Sequence, residues 1–197
     1  MAKEMKKRKK APSVMERKCL VKLANRLKQI PANLDKNGNI SVKLLAIDPG
    51  SYKSSLVMVD TADCSILEIQ DGLCNKEVRK RLMNHNYDVL VVEILAHMGN
   101  VGGASLYETA YWIGRFIETA KIKNFHLMYR REEYMHFFGK GTGNDSVIIQ
   151  TLTRRFGEKG TKKDPGLTFG LANDAWQAFG VAVIAADKLN NRVHLED

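Results

Sequence analysis

"LLAIDPGSYKSSLVMVD", residues 44–60, is the stretch on which the reading of this chain turns. An apolar run ends on Asp48, Pro49-Gly50 follows at once, and a second apolar run begins within a few residues. A carboxylate closing a buried strand is expensive unless something pairs with it. The partners to weigh are a metal ion, a bound phosphate group, or the backbone of the turn itself.

Working outward, short β-like runs alternate with helical ones from residue 40 onward. "ISVKLLAID", "SSLVMVD" and "SILEIQD" read as strands, and "NKEVRKRLMNHN" as a polar helix. "YDVLVVEIL" is continuously apolar, as expected of a strand covered on both faces. "ASLYETAYWIGRFIETAKIK" reads as a long helix with Leu106, Ala110, Ile113 and Ile117 on one stripe. "FHLMYR" is a fifth strand, "DSVIIQTLTRRFG" a helix capped by Asp145 and ended by Gly157, and "NDAWQAFGVAVIAADKLNN" the last helix. The order β-β-β-α-β-α-β-α-α predicts one α/β domain over residues 40–197.

Charge sets the first 39 residues apart. The chain of 197 residues has a formal net charge of +9. Residues 1–40 hold 12 Lys/Arg against 3 Asp/Glu, whereas the remainder holds 19 of each. The whole excess therefore lies in an N-terminal arm. "MAKEMKKRKK" cannot form a core and is expected to be disordered; residues 12–31, bounded by Pro12 and Pro31, read as an amphipathic basic helix. Such an arm fits a nucleic-acid contact, a localisation signal or a solubilising end. No apolar run reaches the roughly 18 residues of a membrane span, and the first residues lack the apolar core of a signal peptide. Cys19, Cys64 and Cys74 are odd in number and form no CxxC pair, which argues for a reducing compartment and against a structural zinc.

Three acids fall at informative places. Asp48 closes the first strand, Glu93 lies near the end of the fourth, and Asp174 opens the last helix, whose Ala175, Ala178, Ala182 and Ala185 would let it lie close to the sheet. Each has an ordinary explanation: Asp48 holding its turn, Glu93 paired with an arginine, Asp174 capping a helix. Together they would form an all-oxygen site of the kind Mg²⁺ or Mn²⁺ prefers and zinc does not.

"LAIDPGSYKSSLVMVD", "VVEILAHMGNVGGASLYETAYWIGRF" and "FGEKGTKKDPGLTFGLANDAWQAFGVAV" together resemble the RuvC-like Holliday junction resolvases of the RNase H-like superfamily, most of all those carried by bacteriophages. The resemblance implies an RNase H-like, RuvC-type five-stranded mixed sheet flanked by helices, its first three strands antiparallel. It implies a Mg²⁺-dependent endonuclease, with Mn²⁺ substituting and two ions per site. It implies a homodimer that cuts two strands of a four-way junction in the cytoplasm of a bacterial or phage-infected cell, with broader action on forks or flaps left open by the departures that follow. Asp48, Glu93 and Asp174 are the catalytic, metal-holding acids it implies. Two departures stand out. Many members carry an acid or His three residues before the last Asp, where this chain has Leu171, with Asn173 read as a helix cap. Where the bacterial relatives place a base-stacking aromatic after the Glu, this chain has Ala96, His97 and Met98.

The remaining basic residues outline an expected DNA path. They are Lys6, Lys7, Arg8, Lys9 and Lys10 of the arm, His97, Arg130 and Arg131, Lys140 in "GKGTGN", and Lys159, Lys162 and Lys163 before Asp174. A solvated surface explains any one of them equally well. "GKGTGN" lacks the GK[ST] of a phosphate-binding Walker loop. A kinase- or actin-like ATPase would need a second nucleotide lobe, for which 197 residues are too few. A non-catalytic DNA-binding or scaffold protein on the same core is the other reading.

Overall fold

In the computed structural model, which describes residues 33–94 and 103–192, a short antiparallel hairpin of β1 (Asn33–Leu34) and β2 (Ile40–Ser41) precedes the main sheet. The expected tail and basic helix of residues 1–31, and His97, lie outside the described residues. The apolar runs become β3 (Lys43–Asp48), β4 (Lys53–Asp60), β5 (Ile66–Cys74), β6 (Val89–Ile94) and β7 (Phe125–Tyr129). Their order in the sheet is β5-β4-β3-β6-β7. The β3–β4 and β4–β5 pairs are antiparallel, while β3–β6 and β6–β7 are parallel. This is the mixed five-stranded sheet the sequence leads one to expect.

Helices cover both faces, which is why the middles of β3, β4 and β6 are continuously apolar. On one side lie α1 (Asn75–Met83) and α2 (Ala104–Ala120), closing a core of Leu45, Ile47, Leu56, Val78, Leu82, Leu90, Val92 and Phe116. On the other lie α3 (Arg130–Phe138), α4 (Asp145–Phe156) and α5 (Ala175–Leu189), over Leu44, Ala46, Val57, Val89 and Val91. Every residue of α5 except Lys188 is buried. Its small side chains allow that depth, and α3 and α4 cover its outer side. Truncating a wholly buried anchor such as Phe179 to Ala would cost about 3–5 kcal/mol.

Three details differ from expectation. The nine-residue α3 has no counterpart among the expected helices; "RREEYMHFF" carries charge on most sides and buries only Glu133 and Phe137. The core stripe of α2 runs through Thr109, Ile113, Phe116 and Ala120, leaving Ala110 exposed and Leu106 and Ile117 half-buried. And α4 is capped not by Asp145 but by Asn144, whose side chain accepts from the Val147 N–H at 3.0 Å. Among the described residues Cys64 and Cys74 are free thiols, and no helix is long and apolar enough to cross a membrane.

Candidate active site

Register brings the first two acids together. Ile47 of β3 pairs with Val92 of β6, so Asp48 and Glu93 end adjacent parallel strands at one level. Side chains alternate between faces. Leu44 and Ala46 of β3, with Val89 and Val91 of β6, belong to the core under α5. Asp48 and Glu93 continue those two series and therefore face α5, at whose N-terminus Asp174 stands.

The structural duties that could explain Asp48 and Asp174 are carried by other residues. The turn after Asp48 is held by Ser54, whose Oγ accepts from the Gly50 N–H at 3.2 Å, and by Asn75, whose Nδ2 donates to the Gly50 carbonyl at 2.9 Å. Ser54 also donates to Asn75 at 2.7 Å, fixing that side chain. Asp174 occupies the N-cap position of α5 yet makes no side-chain capping bond. Asp71 of β5 reaches that turn instead, accepting Asn173 Nδ2 at 2.8 Å and, at 3.2 Å, the Ala175 N–H, which also donates to the Ala172 carbonyl at 2.9 Å. Asn173, expected as the cap, sits with φ +37° and reaches across to Asp71. Ser55, opposite Asp48 in the sheet, steadies Asp71 by donating at 2.9 Å. The Asp174 carboxylate is left exposed and outside the cap.

Glu93 is only 1% exposed and has a partner. Arg130, the first residue of α3, donates to it twice, Nε to Oε1 at 2.5 Å and Nη2 to Oε2 at 3.0 Å. Arg130 Nη1 also donates to Asp145 at 2.6 Å and to Gln177 at 3.2 Å. Arg130, one of the residues of the expected DNA path, places its guanidinium among the acids here, because α3 begins directly behind Glu93.

The electrostatics follow from this crowding. Burial first, then the charge of Glu93, push the Asp48 carboxyl up to about 8; Asp174 adds to the push and Arg130 opposes it. Glu93 is also raised by burial, against the pull of Arg130. Burial and their mutual repulsion thus disfavour ionising Asp48 and Glu93 together. Glu133, buried one turn along α3, is raised well above the ordinary range by burial and then by Glu93.

Among the described residues, no three His, Cys, Asp or Glu side chains are gathered into a group ready to hold a metal ion. The Asp48–Glu93 pair still has the chemistry a hard divalent cation needs: oxygen donors only, and excess negative charge to which Asp174 contributes. Those residues fit such an ion, provided Arg130 yields Glu93.

The other expected contacts are scattered along one run of chain. Arg131 and Lys140 are exposed, and Gly141 lets its loop close against the Arg131 side chain. Lys159 lies 5.4 Å over the Trp176 ring. Lys162 and Lys163 form the exposed tip of a tight hairpin in which Thr161 and Asp164 exchange backbone hydrogen bonds at 2.9 and 3.1 Å. Gly160 and Gly166 allow the two arms to touch, since a Cβ at either would strike the opposite backbone. Sequence reasoning missed Asp71, Ser55, Asn75, Gln177 and Glu133. Only Asp71, an acid at a strand end, carried a visible signal.

The sheet order, the helices on both faces and the acids at the strand ends define an RNase H-like, RuvC-type α/β fold. No family model matches the chain, and no curated protein sequence does either. Among solved structures, RuvC of Thermus thermophilus superposes with a TM-score of 0.54 at 13% identity, covering 76% of this chain and 95% of that one. T. thermophilus RuvC in complex with a Holliday junction substrate gives a TM-score of 0.53 at 12% identity, over 77% and 95%. The likeness is one of fold.

Proposed function

We propose that this protein is a divalent-cation-dependent endonuclease of the RuvC type, cutting branched DNA and four-way junctions foremost. The observation that carries the reading is the release of Asp48 and Asp174 from structural work: Ser54 and Asn75 hold the turn, and Asp71 caps the helix. Asp48, Glu93 and Asp174 would hold Mg²⁺ or Mn²⁺, two ions per site. Ions so held supply charge stabilisation to the attacking and leaving oxygens of a phosphodiester. Asp48 and Glu93 would act from neighbouring strands of the sheet, and Asp174 would join them from the N-terminus of α5.

DNA phosphates would be met by the exposed Lys162–Lys163 tip, by Lys159, Lys140 and Arg131, by His97, and by Lys6, Lys7, Arg8, Lys9 and Lys10 of the arm. Symmetric incision of a four-way junction needs two sites, which a two-fold dimer supplies most simply. The face of α2 turned from the core bears Tyr107 and Tyr111, 68% and 57% exposed, beside Ala110, and suits self-contact. Kinship with phage-carried members, and work in a bacterial or infected-cell cytoplasm, belong to the same proposal.

One observation favours a second reading. Arg130 closes both oxygens of Glu93, which is also how a non-catalytic DNA-binding relative would keep a disused acid paired. The test is incubation of synthetic four-way junctions, forks, flaps and duplexes with the full chain and Mg²⁺, alongside Asp48→Asn, Glu93→Gln and Asp174→Asn. Wild type should cut branched substrates and each variant should bind but not cut. Binding without cleavage by wild type would establish the silent reading, and full activity in one variant would remove that residue from the site.

A further inference from the structure

Glu133 is the least explained ionisable group among the described residues. It is 0% exposed, and neither carboxyl oxygen has a hydrogen-bond partner. Buried carboxyls are ordinarily paired, because an unpaired one is among the costliest groups a core can hold. A glutamine or leucine would fill the same volume at less expense, so the carboxyl calls for a cause.

Its surroundings supply one. The charged groups acting on it are Glu93, Arg130, Asp48 and Asp145, of which only Arg130 is positive. Arg130 and Glu133 stand at i and i+3 of α3, the spacing at which a guanidinium and a carboxylate on one helix meet. Yet Arg130 spends Nε and Nη2 on Glu93, and Nη1 on Asp145 and Gln177. Glu93 has two oxygens and Arg130 takes both, so this arrangement and a divalent cation on Glu93 exclude one another.

We propose that Glu133 is the second partner of Arg130: when a divalent cation takes the Asp48–Glu93 pair, the guanidinium transfers from Glu93 to Glu133 within α3. The inference rests on the metal-holding role proposed for those acids. Glu133 then acts as a positioning residue, touching neither cation nor DNA. Any proton on Glu133 leaves to solvent as the guanidinium arrives, so Arg130 again faces a carboxylate and the loading of the site becomes an exchange rather than the breaking of a buried ion pair. The otherwise orphaned carboxyl and the otherwise blocked glutamate are explained by one movement.

The test is calorimetric titration of the full chain, without DNA, with Mn²⁺. Wild type, Glu133→Gln, Glu133→Asp, Arg130→Gln and the double variant Arg130→Gln/Glu133→Gln are compared after a thermal melt shows each folded. Glu133→Gln should weaken Mn²⁺ binding about tenfold or more, the scale at which residues behind the metal ligands act. Glu133→Asp, which keeps the charge, should recover most of that loss. Arg130→Gln should bind Mn²⁺ at least as tightly as wild type, and adding Glu133→Gln to it should change affinity less than about twofold, since a linkage disappears with either partner. Equal loss from Glu133→Gln in both backgrounds would overturn the transfer and make Glu133 a direct ligand or a packing group. Unchanged affinity in Glu133→Gln would overturn it outright. Wild type binding no Mn²⁺ would instead sink the metal-holding role of the acids, and the transfer with it.

Discussion

Replacing Asp71 and Asp174 separately by alanine distinguishes the residue that caps α5 from the one that the cap leaves available. Asp71 lies 104 positions from Ala175 in sequence and accepts its N–H at 3.2 Å, together with Asn173 Nδ2 at 2.8 Å and Ser55 Oγ at 2.9 Å. Loss of a capping side chain costs about 0.5–2 kcal/mol. Because Asp71 is exposed, water replaces much of the other two bonds, and a total of about 1–2 kcal/mol is expected for Asp71→Ala. In a domain of this size that lowers the melting temperature by about 2–8 °C. Asp174→Ala forfeits only attraction to the helix N-terminus, about 0.3–1 kcal/mol. It also relieves the pressure that Asp174 puts on Asp48, so its net effect should stay within about 0.5 kcal/mol. Urea unfolding in EDTA measures both, and junction cleavage with Mg²⁺ is measured in parallel. Asp71→Ala should melt early and retain partial activity; Asp174→Ala should melt normally and be inactive. If Asp174→Ala costs as much stability as Asp71→Ala, Asp174 is the cap and its place among the metal-holding acids loses its support.

A buried charge cluster ties α5 to its neighbours: Asp187, 0% exposed, accepts two bonds from Arg155 at 2.6 and 2.7 Å and lies 3.0 Å from His136 Nε2. Asp187→Asn should destabilise the fold by about 3–5 kcal/mol in chemical denaturation, since it strands buried cations. Burial would raise this carboxyl, but the hydrogen bonds from Arg155 and His136 hold it below its ordinary 3.8. Its contribution is therefore complete above that value and lost as pH falls through the lower folded value, so wild type and variant should converge in stability in strong acid. Gly50→Ala would drive a Cβ into the Lys53 carbonyl, and a loss of about 1–3 kcal/mol with impaired cleavage is expected from melting and nuclease assays. Deleting residues 1–10 removes six Lys/Arg, and a salt titration of junction affinity should show a slope flatter by a few units at most, at about 0.9 per phosphate contact.

Much of this was legible in the chain because it is written locally. The apolar runs around Asp48 and Glu93 announce strands buried on both faces, and the alanines of α5 announce a helix set deep against the sheet. What escaped was non-local or unpatterned. The capping of α5 by Asp71 joins residues 104 positions apart, which no window of sequence can pair. Helix α3 has charges where an apolar stripe would be sought, so Arg130 was read as surface and Glu133 was not singled out. The outward turn of Ala110 on α2 depends on which rows of the helix meet α1 and β6, and the repeat of apolar residues is too broad to choose. At α4 the cap, Asn144, lies one position from the expected residue, the usual uncertainty of a helix end.

The parallel pairing of β3 with β6 makes the chemistry of this chain sensitive to its reading frame. Asp48 and Glu93 face α5 because Ile47 stands opposite Val92. One residue inserted between Leu90 and Glu93 would turn the glutamate toward Leu82 and Phe116, and no rotamer could bring it back. The same insertion at the exposed Lys162–Lys163 tip would meet only a surface turn. Length variation among relatives of this protein should therefore gather at such turns and stop abruptly at the two central strands. A chain that breaks this rule within β3 or β6 will have changed which acids face α5, whatever acids it still contains.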